Sequence, residues 1–161
     1  HYTPPAGIPA LRKAIAEHLR ARFGLDYAAE EVIVTAGAQE AVMLSMLALV
    51  EPGDEVLIPH PRFTSYDTAV ALCDGVVVDI PTRDTDDFAI LPSEIEARLT
   101  PRSKVLVLIT PNNPTGAVTP PAMVREIARI ARERDLIVIA DEIYAEIIFE
   151  GSEHLSIATL P

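Results

Sequence analysis

The chain has 161 residues, of which 49% are apolar and 23% charged, with 24 acidic against 13 basic side chains and a formal net charge of −11. That is one domain of ordinary size with enough apolar mass for a core, so wholesale disorder is excluded. The acidic balance argues against a nucleic-acid partner and against docking on an anionic membrane, each of which selects a basic surface.

Taken in chain order, helical and strand patterns alternate. Leu11, Ile15, Leu19 and Phe23 recur every four residues with charged residues between them, which predicts an amphipathic helix closed by Gly24. Val32-Ile33-Val34-Thr35 reads as a short buried strand, followed through Ala36-Gly37-Ala38-Gln39-Glu40 by an apolar helix from Ala41 to Leu49. Pro52-Gly53-Asp54 is a turn before a strand at Glu55 to Ile58. Thr64 to Cys73 reads as helix, Gly75 to Ile80 as strand, Thr82 to Asp87 as loop and Pro92 to Leu99 as helix. Val105 to Ile109 is the clearest buried strand, Pro120 to Arg134 an arginine-studded helix, and Leu136 to Ala140 a last strand that ends at Asp141. Strands buried on both faces and separated by helices predict a three-layer α/β fold, a mainly parallel sheet with helices on both faces.

In such sheets ligands collect beyond the carboxyl ends of the strands. Gly37-Ala38-Gln39 opens a helix, where unpaired N–H groups and the dipole suit a phosphate; tight strand–helix packing would also select small residues. Asn113 precedes Pro114 and is pushed out of the α region, which frees its amide to donate above the sheet or simply makes a turn. Asp141 ends an apolar run, where a carboxylate is costly unless it meets a cation or donors; a helix cap is the other reading. Tyr144, three residues on, would project from the same side of a helical turn. Phe63 could stack on a flat ring or fill core. The four histidines are scattered without metal-ligand spacing, so no metal site is expected.

Together these pieces resemble the class I/II aminotransferases, the fold-type I pyridoxal-phosphate enzymes. The matching strings are Tyr2-Thr3 with Gly7, Pro9 and Leu11-Arg12; Val34 to Ala41; Pro52 to Val56; Pro61-Arg62-Phe63-Thr64-Ser65-Tyr66; Pro111-Asn112-Asn113-Pro114-Thr115-Gly116; and Asp141-Glu142-Ile143-Tyr144. The resemblance implies that pyridoxal 5′-phosphate is the cofactor, with Gly37, Ala38 and Gln39 at its phosphate and Phe63 on its ring. It implies that Asn113 and Tyr144 donate to the phenolic oxygen, that Asp141 pairs with the protonated ring nitrogen, and that Tyr2 reaches the phosphate of a neighbouring subunit in a homodimer. Asp141 and Tyr144 are the catalytic candidates in this chain. The substrates implied are an L-amino acid and a 2-oxo acid.

The family also needs a Schiff-base lysine, placed after the Asp-Glu-Ile-Tyr string. Lys13 lies on the polar face of the first helix and Lys104 at the start of its strand, so neither occupies that position. The chain begins His1-Tyr2 without Met and shows no signal-peptide pattern. It therefore reads as 1–161 of a partial large domain, with the lysine and the small domain absent, inactive by itself and with apolar edges left uncovered. A lone cysteine, Cys73, makes no internal disulfide, and a cytoplasmic setting is expected. Two further readings are a carbon–sulfur lyase of the same fold and the aminotransferase-like sensor domain of a transcription regulator. A generic nucleotide-binding domain is disfavoured because no glycine-rich dinucleotide motif or lysine-bearing phosphate loop is present.

Overall fold

The computed structural model describes residues 3–149 and 151–161. The Tyr2 assignment lies outside the described residues. Among the described residues there are five α-helices, α1 (Pro9–Phe23), α2 (Ala38–Leu49), α3 (Ser65–Leu72), α4 (Pro92–Glu96) and α5 (Pro121–Glu133), and four strands, β1 (Glu55–His60), β2 (Val76–Pro81), β3 (Ser103–Ile109) and β4 (Ile137–Asp141). All pairings are parallel and the strand order is β2-β1-β3-β4.

Side chains alternate across a strand, so a doubly buried sheet feeds two cores. On one face Val56 and Ile58 of β1 join Val105, Val107 and Ile109 of β3 under Met46 of α2 and Tyr66 and Val70 of α3. On the other, Leu57, Leu106 and Leu108 pack beneath Ile95 of α4 and Val124, Ile127 and Ile130 of α5. The expected three layers are therefore present. Gly24 ends α1 in the left-handed region at φ 73°, where a side chain would be strained.

One element differs from expectation. Residues 32–35 do not form a strand. Val34 donates only to the carbonyl of Ala6, at 3.0 Å, and Ile33 is exposed. A strand exists through its ladder, and no described strand runs beside this segment. The apolar run is not buried here either: Val32 and Val34 are half-buried and Ile33 is exposed.

From β1 the chain moves outward to β2, then returns past β1 to β3 and β4. The direction of winding thus reverses between β1 and β3, and the crevice at such a reversal is where doubly wound sheets place ligands. The amino edge of the same sheet is closed by charge. Glu55, only 3% exposed, accepts from Thr100, Arg102 and Ser103, and Lys104 pairs with Asp54 at 2.6 Å and Glu51 at 3.2 Å.

The Thr100 hydroxyl above all, with Arg102 and Ser103 assisting against the opposing effect of burial, holds the Glu55 carboxyl below its ordinary value of 4.5. A depressed carboxyl stabilises the fold above the unfolded value, and the contribution is lost as pH falls through the folded value. In a full-length protein carrying this segment, the melting temperature of the wild type is expected to fall faster than that of Glu55→Gln between about pH 5 and pH 3. Parallel curves would remove Glu55 from the acid response. The exposed Ile33, Ile143, Ile147 and Phe149 form uncovered apolar surface. The 161-residue chain alone is expected to self-associate, and a monodisperse monomer in light scattering would contradict that.

Candidate active site

A cavity of about 380 Å³ opens at the reversal point. It is lined by Gly37, Ala38 and Gln39 from the start of α2, Phe63 after β1, Tyr66 of α3, Asn113 after β3, and Asp141 and Tyr144 at and after the tip of β4. Seven residues singled out in the sequence are thus brought together, from segments more than 100 residues apart.

The α2 end of the cavity is built by a sharp turn. Gly37 sits at φ 115° and ψ 169°, a region essentially restricted to glycine. Thr35 Oγ1 donates to the Gly37 carbonyl at 2.9 Å, and the Glu40 carboxylate accepts from the Ala36 N–H, so the turn is braced from both sides. The first helical bond into this turn is Ala41 N–H to Gly37 O at 3.3 Å. The N–H groups ahead of it, those of Ala38, Gln39 and Glu40, belong to the unpaired first turn, where the helix dipole favours an anion. A Cβ built on Gly37 would meet nothing within 4 Å, so open space adjoins the turn.

Phe63 is 41% exposed and is held in place by its neighbour. Arg62, with a side chain only 6% exposed, donates to Asp67 of α3, to Asp79 of β2 at 2.7 Å and to the Pro59 carbonyl at 3.3 Å. Burial works against its charge, but the two carboxylates outweigh burial and hold the guanidinium protonated beyond its ordinary range. The segment after β1 is therefore anchored on its buried side while Phe63 turns to the cavity.

After β3, Asn112 is consumed by structure. Its N–H donates to Ala117 O at 2.9 Å, its carbonyl accepts from Gly116 at 2.8 Å, and its amide reaches the Pro61 carbonyl at 3.4 Å. That fixes the loop against the turn after β1 and leaves Asn113, half-buried, in the cavity lining.

Asp141 pairs in register with Ile109 of β3, which places it at the carboxyl tip of the sheet. It is half-buried. Oδ1 accepts from the Ile143 N–H at 3.2 Å, and Oδ2 accepts from the hydroxyl of Tyr66. The backbone beyond turns through Ala145 N–H to Glu142 O, 2.9 Å, and Ile147 N–H to Tyr144 O, 2.8 Å, so Tyr144 sits on a tight turn and not on a continuing helix. Tyr66 stood inside a matching string without a role. The signal that could have found it is its position three residues after Phe63, on the first turn of α3, which faces the same edge. Lys13 pairs with Glu17 on the exposed side of α1 and Lys104 lies on the opposite sheet edge, so neither lysine lines the cavity. No group of three or more potential metal ligands occurs among the described residues.

Known proteins share both sequence and shape with this chain. An aspartate/prephenate aminotransferase of Thermus thermophilus is 44% identical over 155 residues, covering 96% of this chain and 40% of that protein. A bifunctional aspartate aminotransferase and glutamate/aspartate-prephenate aminotransferase of Petunia hybrida is 43% identical over 161 residues, 99% of this chain and 34% of that protein. The structure superposes on an aromatic aminotransferase from Pyrococcus horikoshii with a TM-score of 0.97 at 40% identity, over 100% of this chain and 43% of that one. The chain spans about two fifths or less of the length of these relatives. The family described as aminotransferase class I and II matches residues 1–160, nearly the whole chain, and this protein belongs to it.

Proposed function

We propose that the intact protein moves an amino group between an L-amino acid and a 2-oxo acid, using pyridoxal 5′-phosphate held in the cavity at the β1–β3 reversal. The observation that carries this reading is the convergence of a phosphate-ready helix start, an aromatic face, two side-chain donors and a carboxylate in one cavity of suitable size. The residues fit such a group. An anion has open space at the Gly37 turn, and a cationic ring nitrogen has a carboxylate that already has two donors and keeps lone pairs for a third.

In this reading the first-turn N–H groups of α2 hold the phosphate. Phe63 packs on the ring face, and Asn113 and Tyr144 donate to the phenolic oxygen. Asp141 keeps the ring nitrogen protonated, because an opposite charge within a few ångströms favours the charged form. When bound, the cofactor supplies an electron sink that makes the substrate Cα–H acidic. The chain's own contribution is to orient that ring and hold its nitrogen proton at Asp141. A base to take the substrate proton is not among the cavity residues, and the reading assigns it to a lysine in the part of the protein corresponding to the remaining length of the relatives.

Support for the donor comes from names: the Thermus and Petunia relatives are named for aspartate, which makes aspartate the first amino donor to try. The relatives reported are aminotransferases, so the lyase and regulator readings gain no support. The reading extends to a homodimer, supported by the exposed Leu44 and Leu47 on the outer side of α2. It extends to the cytoplasm, supported by the free Cys73.

Two variants of the full-length protein test the site. Asp141→Ala is expected to lower kcat by about 10²- to 10³-fold while some cofactor stays bound, as loss of a preorganised charge does. Steady-state turnover with aspartate and a 2-oxo acid measures it, and near-normal rates would reject the assignment. Gly37→Ala forces an L side chain into a conformation that costs it about 1–3 kcal/mol. The turn is expected to rearrange and the apo-protein to bind pyridoxal phosphate about tenfold or more weakly in an absorbance titration. Unchanged affinity would take the phosphate away from this helix start.

A further inference from the structure

We infer that Tyr66 is a positioning residue for Asp141: its hydroxyl orients the carboxylate so that the free lone pairs point at a cationic ring nitrogen. The inference rests on the proposed cofactor site and deepens it.

Three observations converge on Tyr66. It is 2% exposed yet lines the cavity, so its ring belongs to the core and its polar end to the site. Its hydroxyl donates to Asp141 Oδ2 across 75 residues of chain, from α3 on the helical layer to the tip of β4. The other carboxylate oxygen is taken by the Ile143 N–H at 3.2 Å. An aspartate side chain with one donor swings about χ2, whereas one with a donor on each oxygen has its plane fixed. The remaining lone pairs then point in set directions, and Asp141 borders the same cavity as Phe63 and Asn113.

The chemistry of the donor fits that role. Burial first, and then the bond to Asp141 and its charge, push the Tyr66 phenol far above its ordinary value, so it remains a donor throughout the working range. A hydroxyl that always donates never competes for the carboxylate as an acceptor. Serine or threonine is too short to span from α3 to the sheet tip. Histidine would bring a proton that titrates near neutrality. The buried phenol supplies reach and a constant protonation state together.

The test is a double-mutant cycle in the full-length apo-protein, read as affinity for pyridoxal phosphate by absorbance titration. Tyr66→Phe keeps the ring and its packing and removes only the oxygen. It is expected to weaken binding about tenfold in the wild-type background, the size of a hydrogen bond to a charged group. In the Asp141→Ala background it is expected to change affinity less than twofold, since the group it orients is gone. In the holoenzyme, kcat is expected to fall while KM for the amino acid stays within about twofold, because Tyr66 would act through Asp141 and not on substrate. Equal weakening in both backgrounds would make Tyr66 a packing residue and overturn the inference. Wild-type affinity and kcat in Tyr66→Phe would overturn it too, while leaving the cofactor site standing if Asp141→Ala is impaired. If Asp141→Ala itself behaves as wild type, the cofactor reading falls and takes the role of Tyr66 with it.

Discussion

A carboxylate at the carboxyl tip of a parallel strand is the constraint around which this molecule is arranged. Asp141 continues β4 in register beside Ile109, so the ladder itself delivers the charge to the sheet edge. There it cannot be left without donors, because an unpaired charge removed from water is expensive. The fold answers with a phenol from one helical layer and a backbone N–H from the turn that follows. The phenol comes from α3, whose placement depends on the core it shares with β1 and β3. Anything that shifts α3 relative to β4 therefore shifts the carboxylate.

The same logic separates the polar groups at the two edges of the sheet. At the amino edge Glu55 is buried with three donors and Lys104 bridges two acids, a closed arrangement with its hydrogen-bonding capacity spent. At the carboxyl edge Arg62 is also spent, on Asp67, Asp79 and a carbonyl, and the backbone and amide N–H groups of Asn112 are engaged as well. What remains facing the cavity is a different set: a glycine turn, Phe63, Asn113, Tyr144 and the outer lone pairs of Asp141. Arg62 and Asn112 direct their donors to partners within the protein, and the cavity is lined by groups with capacity to spare. The adjacent pairs Arg62–Phe63 and Asn112–Asn113 divide the two tasks between neighbours, one residue anchoring the loop and the next lining the site.

Much of this was legible in the chain because it is local. The positions of α1 with its Gly24 stop, the doubly buried β3 and the arginine-studded α5 follow from periodicity and end signals within a dozen residues. The candidate site residues were legible for the same reason, since each sits in a short, recognisable string, at a strand end for Phe63, Asn113, Asp141 and Tyr144 and at the start of α2 for Gly37, Ala38 and Gln39. Residues 32–35 were misread as a strand because an apolar run records a tendency to be buried, and a ladder needs a neighbour that lies elsewhere in the chain.

By itself the sequence determined the α/β alternation, the two-faced burial of β1 and β3, the family, and which side chains stand at the strand ends, because these depend on patterns between near neighbours. Only the tertiary structure decided that the sheet order reverses between β1 and β3, that Arg62 and Asn112 turn inward while Phe63 and Asn113 border the cavity, and that Tyr66 reaches Asp141 from 75 positions away. Those outcomes depend on which strands pair and how two cores lock helices over them, and pairing between distant segments leaves no mark in the local pattern of either one.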